Sequence, residues 1–200
     1  YDNPAYVGIF DASGILMQSL SIPFPGSDTI IPQSNYNCGT SVPTNVCVER
    51  ATYTFTVNLP PIAGGYQIIY QRCCRNGSLL NIVDPSSTGD TFLATIPDSA
   101  FAHNNNPVFT NWPPVFVCKG VPINIDQAAS DFDGDSMVYT LCTPFEGADA
   151  VNPQPNPSAF TPVSPLVWNI GYSASDMLGG SIPLQINPIT GLLTGTPSTL

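Results

Sequence analysis

Three aspartates at alternate positions form the clearest candidate metal site in this sequence. They are Asp131, Asp133 and Asp135, in the stretch "DFDGD". Alternate residues of an extended chain project to one side, and Gly134 allows the chain to curl so that the carboxylate oxygens converge. Calcium takes roughly six to eight oxygen ligands, so three carboxylates would supply about half of them. Because these carboxylates would repel one another without a cation, we predict calcium rather than a solvated acidic turn.

The spacing of this loop excludes an EF-hand. An EF-hand places its glycine after three alternating acidic or amide ligands and a glutamate at position twelve. Counted from Asp131, the glycine is here the fourth residue instead of the sixth, and the twelfth residue is Cys142. The loop therefore predicts a different kind of calcium site, which Asp126 or Asp135 could complete within its own domain.

The six cysteines predict disulfides and an oxidising compartment rather than zinc, because there is no CxxC pair and only one histidine. We predict a bridge between Cys118 and Cys142. Two pairings of the other four stay open. In the first, Cys38 and Cys47 each bond one of the adjacent residues Cys73 and Cys74. In the second, Cys38 bonds Cys47 and Cys73 bonds Cys74.

Catalytic chemistry has little support in the residue types. His103 lies near Asp98 and Ser99, but a triad needs these side chains to converge in a pocket, and the stretch is typical of a polar turn. Glycoside hydrolysis needs two carboxylates across a sugar, and Glu49 and Glu146 fall in different predicted domains. We predict that the protein is not an enzyme.

Four aromatic residues could instead present a stacking face to a carbohydrate. They are Trp112, Phe160, Trp168 and Tyr172. The competing interpretation places Trp168 in the core of a second domain and Trp112 in the joint between two domains.

The charge balance restricts the partners. Fourteen acidic residues against four basic ones give a net charge of −10, so there are no clustered cations for nucleic acid or for anionic lipid surfaces. A hydrophobic fraction of 42% can bury a core, whereas no apolar run reaches the roughly 18 residues of a membrane span. No signal peptide is visible, so we expect a mature fragment.

The elements that must position these residues are predicted to be short strands. The chain has 22 prolines, 16 glycines and few helix-forming residues. "AYVGIF" and "ILMQSLSIPF" flank the turn "DASG", and "ATYTFTVNL" at 51–59 alternates apolar and polar residues. We expect 51–59 to pair with 66–74 as a hairpin, and "TFLATIP" to close this unit.

Further short strands follow the Asn- and Pro-rich stretch "HNNNPVF". They are "PVFVC", "VPINID", "SMVYTLC", "PLVWNI" and "SIPLQIN", with a long irregular loop at 147–165. We predict an all-β protein with two tandem β-sandwiches, one over 1–103 and one over 104–200.

Two stretches resemble the signatures of cadherin-like and bacterial Ig-like modules. "ASDFDGDSMVYT" is similar to A-x-D-x-D-G-D-x-x-x-Y, and "LQINPITGLLTGTP" is similar to I-x-P-x-T-G-x-I-x-G-T-P. The resemblance covers residues 115–200. It implies that the sandwich over 1–103 is Ig-like and that the one over 104–200 is cadherin-like. The last strand of the second sandwich would follow the second signature and is missing from this sequence.

The same resemblance implies that calcium stiffens the joint between the domains. Cadherin linkers read approximately N-D-N-x-P, and this linker reads "HNNNP", with Asn105 at the position of the aspartate. Asn104 and Asn106 would supply oxygens from the linker, and Asp131 and Asp133 would supply carboxylates from the second domain.

Nearly the whole chain also resembles the long surface proteins of gliding Bacteroidota. The likeness is carried by "VCVERATYTFTVNLPPIAGGYQIIYQRCCRN", "FTNWPPVFVCKG" and the aspartate loop. It implies export by the type IX route and a place on the cell surface. We therefore expect an extracellular structural or adhesive module for attachment or gliding. Its partners would be neighbouring domains of the same chain, surface glycans or the secretion machinery. The alternative is a glycan-binding accessory module of a secreted enzyme.

Overall fold

The structure is a computed structural model of the 200-residue chain, and it describes residues 1–30, 47–98, 104–160, 163–180 and 182–198. Within these residues the regular structure consists of β-strands and there is no helix, so the predicted all-β class is confirmed. The strands are β1 (Ala5–Asp11), β2 (Leu16–Ile22), β3 (Asp28–Ile30), β4 (Val48–Arg50), β5 (Tyr66–Arg72), β6 (Asp90–Ile96), β7 (Val108–Phe109), β8 (Ile123–Asp126), β9 (Ala129–Ser130), β10 (Ile182–Ile186) and β11 (Leu192–Thr196).

The largest sheet has four antiparallel strands in the order β2-β1-β5-β6. The predicted hairpin of β1 and β2 is confirmed. Its turn is closed by Asp11, whose Oδ1 accepts hydrogen bonds from the amides of Ser13 and Ile15, both at 2.9 Å. The hydrogen bond from the Ser13 hydroxyl is the largest cause that holds the pKa of Asp11 below its usual value, and the bonds from the backbone amides add to it. Gly14 takes a φ of +91°, a conformation that favours glycine.

The predicted hairpin between 51–59 and 66–74 is wrong. Strand β5 has two neighbours in its sheet, and both places are taken by β1 and β6. Residues 51–62 form no regular strand, although Ala51, Tyr53, Val57 and Leu59 are half-buried while the polar residues between them are exposed. The alternating pattern therefore correctly indicates a half-buried segment, but it does not show which strands pair with β5.

This segment instead crosses one face of the four-stranded sheet. The hydroxyl of Tyr66 donates to the carbonyl of Pro60 at 2.5 Å, and that of Tyr53 donates to the carbonyl of Asp2 at 2.6 Å. Since the side chains of alternate residues share a face, Tyr66 and Tyr70 of β5 point to the side that 51–62 covers.

The other face of the central strands of this sheet is covered by residues 145–160. The Ala159 amide donates to Oε1 of Gln71 at 2.8 Å, and the Phe160 ring lies 5.3 Å from the Phe10 ring. Further along, the Val83 amide donates to the Val167 carbonyl at 2.9 Å. The predicted irregular loop 147–165 was assigned to the second domain, yet its residues 147–160 pack on the sheet formed by the first.

A second sheet has three strands in the order β10-β11-β8, and β7 pairs separately with β9. The strands predicted in "VPINID" and "SIPLQIN" are confirmed as β8 and β10. "PVFVC" and "SMVYTLC" form no strand, and "PLVWNI" makes only isolated bridges, one of them between Trp168 and Ile82. Apolar content alone does not make a strand, because a strand also needs a free sheet edge to pair with.

Candidate functional site

The short pairing of β7 with β9 brings the linker beside the aspartate loop. Val108 lies opposite Ser130 and Phe109 opposite Ala129, and the Thr110 amide extends the pairing by donating to the Ala128 carbonyl at 2.9 Å. The linker immediately precedes β7, and the aspartate loop immediately follows β9. The antiparallel pairing therefore places these two segments at the same end of the ribbon.

Asp131 organises the loop from its first position. Its Oδ1 accepts hydrogen bonds from the amide of Asp133 at 2.9 Å and from that of Asp135 at 3.2 Å. Gly134 takes a φ of +81°, which an L side chain rarely adopts. The predicted curl of the loop is thus present.

The Asp133 carboxylate reaches across to the linker. It accepts from the backbone amide of Asn105, and the Asn105 side chain donates to both carboxylate oxygens at 3.0 and 3.1 Å. The resemblance to cadherins implied a calcium ion shared by the linker and the loop, with Asn104 and Asn106 as the linker ligands, whereas Asn105 makes this direct contact. Asn104 instead donates from its side chain to the carbonyl of Asn105 at 3.2 Å.

The three aspartates do not converge as a complete ligand set in this conformation. Across the described ranges, no group of three or more His, Cys, Asp or Glu side chains is placed to hold a metal ion. Asp133 and Asp135 are exposed, and Asp133 uses both oxygens on Asn105. Asp126 accepts from Asn111 at 3.0 Å and from the Ala128 amide at 2.9 Å, so it stabilises the approach to the loop. A calcium ion would have to replace the Asn105 amide groups as the partner of Asp133.

The two stretches that resemble cadherin-like and Ig-like signatures contact each other beside the aspartate loop. The Tyr139 hydroxyl accepts from the Ala129 amide at 2.9 Å, and the Tyr139 amide donates to the Pro188 carbonyl at 3.1 Å. A Cβ atom on Gly191 would lie 2.9 Å from Cε1 of Tyr139, and Gly191 has a φ of +73°. Asn187 turns the chain between β10 and β11 by accepting from two amides. The tyrosine of one signature thus packs on the glycine of the other.

The cysteines are paired differently from the main prediction. Cys73 and Cys74 bond to each other, as one of the two open alternatives had it, but Cys47 is free and so has neither predicted partner. The predicted Cys118–Cys142 bridge is wrong, because Cys142 is free and exposed while Cys118 is disulfide-bonded to a partner outside the described residues. Cys38 also lies outside them. Since Cys142 belongs to no strand, no pairing register holds it opposite Cys118.

The candidate stacking residues lie in different places. Trp112 is 70% exposed, so it is not packed into a joint, and the Arg50 guanidinium lies 5.0 Å from its ring centroid. Trp168 is half-buried and forms an isolated bridge with Ile82 rather than lying in the second sheet, and its Nε1 donates to the Thr143 hydroxyl at 3.2 Å. Phe160 packs on Phe10, so only Trp112 presents a mostly free ring.

The residues weighed for catalysis are only partly described. His103 and Ser99 lie outside the described residues, whereas Asp98 accepts from the Gly64 amide at 2.8 Å. Glu49 is on β4, and the carbonyl of Glu146 accepts from Thr91 at 2.8 Å. The absence of catalysis stays a prediction.

The chain matches no family model, and no curated protein or solved structure shows a significant similarity to it. Among the described residues no helix has the length and apolar character needed to cross a bilayer.

Proposed function

We propose that this chain is an extracellular structural or adhesive module of a large secreted cell-surface protein, used for attachment or gliding. In this proposal it comprises two tandem Ig-like or cadherin-like sandwiches stiffened by disulfides and calcium. The observation that carries the proposal is the contact between Asp133 and Asn105, because it ties the segment between the two predicted domains to a loop of the second.

Calcium would act at this contact. The amide groups of Asn105 neutralise part of the Asp133 charge, while the exposed Asp135 adds a further carboxylate nearby in the chain. A cation would stabilise these carboxylates more strongly than amide hydrogens do, since calcium prefers charged oxygen ligands. The linker would then supply carbonyl oxygens instead of N–H donors.

The partners of such a module are the neighbouring domains of the same chain, together with surface glycans or the secretion machinery. The net charge of −10 supports cations over nucleic acids as ligands. The disulfide at Cys73–Cys74 and the bonded Cys118 support an oxidising location.

Antibodies against the chain test the location and the role together. They should label intact cells of the source organism, and an in-frame deletion of residues 1–200 should reduce attachment or gliding while the remaining protein is still exported. Labelling that requires permeabilised cells, or a deletion that leaves attachment and gliding unchanged, would contradict the proposal.

Glycan binding is the second candidate, and the exposure of Trp112 favours it. A mostly free indole ring beside a guanidinium offers a stacking surface for a sugar. A glycan array would show binding that Trp112→Ala abolishes and that Phe109→Ala, at 62% exposure, leaves intact. An array without signal would contradict glycan binding and leave the structural role as the remaining proposal.

A further inference from the structure

Two of the four cationic side chains in this protein flank the disulfide between neighbouring cysteines. The stretch Arg72-Cys73-Cys74-Arg75 ends β5 and continues into the following loop. Each arginine is paired with a carboxylate and also donates to a backbone carbonyl of the segment 145–160, which we call the clasped segment.

Arg72 holds the middle of the clasped segment. Its Nε lies 2.7 Å from Oδ1 of Asp2, a carboxylate that is only 4% exposed, and its Nη1 donates to the Pro153 carbonyl at 3.0 Å. The Cys73 amide donates to the same carbonyl at 2.9 Å. One carbonyl of the clasped segment therefore receives two hydrogen bonds from neighbouring residues of the arginine–cysteine stretch.

Arg75 holds the start of the clasped segment. Its Nη2 donates to the Phe145 carbonyl at 3.0 Å and forms an ion pair with Asp90. Its Nε donates to the Gly89 carbonyl at 3.2 Å. Gly89 is itself in close contact with the clasped segment, since a Cβ there would collide with the Gly147 carbonyl.

A buried polar group completes the docking. The Gln71 side chain, on a residue only 2% exposed, donates to the Thr91 hydroxyl at 3.0 Å and accepts from the Ala159 amide at 2.8 Å. The Thr91 hydroxyl in turn donates to the Glu146 carbonyl. These contacts require the clasped segment and the end of β5 to keep one relative position, because a buried polar group left unpaired is costly.

We propose that Cys73–Cys74 is a redox site whose reduction releases the clasped segment. The bond ties two adjacent residues together and so restricts the backbone between Arg72 and Arg75, which must reach two carbonyls at once. Breaking it returns conformational freedom to the residues from Arg72 to Arg75. Their hydrogen bonds to the clasped segment then become weaker, because forming them must first order these residues again. This inference does not depend on calcium or on the proposed function.

The reductant would be a dithiol. Cys74 is exposed whereas Cys73 is 6% exposed, so the thiolate of the dithiol attacks Sγ of Cys74. The disulfide breaks, a mixed disulfide forms at Cys74, and Sγ of Cys73 leaves with the electron pair and takes up a proton. The second thiol of the reagent then attacks the mixed disulfide, which releases Cys74 as a thiol and leaves the reagent as a cyclic disulfide.

Hydrogen exchange with and without dithiothreitol tests the proposal on the intact chain. Reduction should speed amide exchange in 145–160 about tenfold, the effect of losing one or two net hydrogen bonds. Exchange in β1 should not change, and reoxidation should restore the slow exchange. Alkylation of both thiols in the reduced sample confirms that this bond has opened.

Two variants separate this site from the other disulfide. Cys73→Ser/Cys74→Ser should exchange quickly in 145–160 under both conditions, whereas Cys118→Ser should keep the full response to dithiothreitol. Unchanged exchange in a sample alkylated at both thiols would overturn the proposal. A rise of equal size in β1, or a bond that the dithiol does not open, would do the same.

Discussion

The two main sheets differ in what stabilises them. In the four-stranded sheet Ile9 and Ile69 are fully buried, and its two faces are covered by chain segments on both sides. In the three-stranded sheet Ile125 and Leu193 are only half-buried, and Ile182 is 54% exposed. Among the described residues, the buried large aliphatic and aromatic side chains lie in the first sheet, apart from Ile82 and Leu166 in loops. Pro197, directly after β11, is also fully buried.

The second sheet relies on local hydrogen bonds and tight turns instead. Asp131 and Asn187 each accept two backbone amides, and Gly191 makes room for Tyr139. The comparison shows that the part of the chain with the most recognisable sequence signatures is the part with the smaller core. A signature of turn residues specifies local geometry, whereas burial depends on what packs over the sheet.

Matched isoleucine substitutions should show the largest difference between the sheets. Ile69→Ala removes a fully buried side chain and should lower the free energy of unfolding by about 2–5 kcal/mol. Ile125→Ala removes a half-buried one and should cost about 1 kcal/mol or less. Urea unfolding measures both, and equal losses would show that the second sheet is as well packed as the first.

Matched glycine substitutions should test how closely the clasped segment packs on the first sheet. Gly89→Ala would place a Cβ against backbone carbonyls of Gly147 and Arg72, so we expect a loss of about 1–3 kcal/mol. Gly77→Ala would meet only the movable hydroxyl of Ser86. Thermal melting should therefore shift markedly for the first variant and little for the second; similar shifts would contradict close docking of 145–160.

The half-buried Tyr70 hydroxyl should make the first sheet sensitive to alkali. Burial, and then its 2.5 Å hydrogen bond to Asp2, raise the pKa of Tyr70 above its ordinary value of 10.0. The unfolded phenol ionises first, so the stabilisation is complete below about pH 10 and is lost as the pH rises through the folded pKa.

Tyr70→Phe isolates this contribution from the other tyrosines. At neutral pH it should cost about 1–2 kcal/mol, because the buried Asp2 carboxylate loses a donor. Between about pH 9 and pH 11 its unfolding free energy should fall less steeply than that of the wild type. Parallel pH profiles in urea unfolding would contradict this assignment.

The linker contact should have the smallest effect because it is exposed. Asn105→Ala removes the side-chain bonds to Asp133 and should cost about 0.5–1 kcal/mol without metal. Asn104→Ala is the control, since its side chain bonds only to the neighbouring Asn105 carbonyl. Melting without calcium compares them, and an equal or larger loss in the control would rule out a role for Asn105.

Part of the fold could be predicted because its signals are local. The turn residues Asp11 and Gly14 indicated the first hairpin, and β6, β8 and β10 followed from short apolar patterns bounded by turns. The partner of 51–59 could not be predicted, because β1 and β6 compete for β5 over distances that periodicity does not encode. The docking of 145–160 on the first sheet is non-local in the same way.

The candidate site shows the same division. The curl of the aspartate loop was predicted from its residues, whereas its proximity to the linker was implied by the resemblance to cadherins, and Asn105 rather than Asn104 or Asn106 makes the direct contact. Which asparagine faces Asp133 depends on the register of β7 with β9, a pairing of two residues on each strand. The clusters around Arg72 and Arg75 were missed, although two cations beside paired cysteines in so acidic a chain were a usable signal.

The calcium dependence of melting tests the central claim most directly. Calcium well above its dissociation constant should raise the melting temperature of the wild type by several degrees relative to chelator, because it binds only the folded loop. Asp133→Asn should lose this response. Asp149→Asn should keep it, although Asp149 also accepts two backbone amides. Identical wild-type curves in calcium and in chelator, or an undiminished response in Asp133→Asn, would contradict a calcium-stiffened linker.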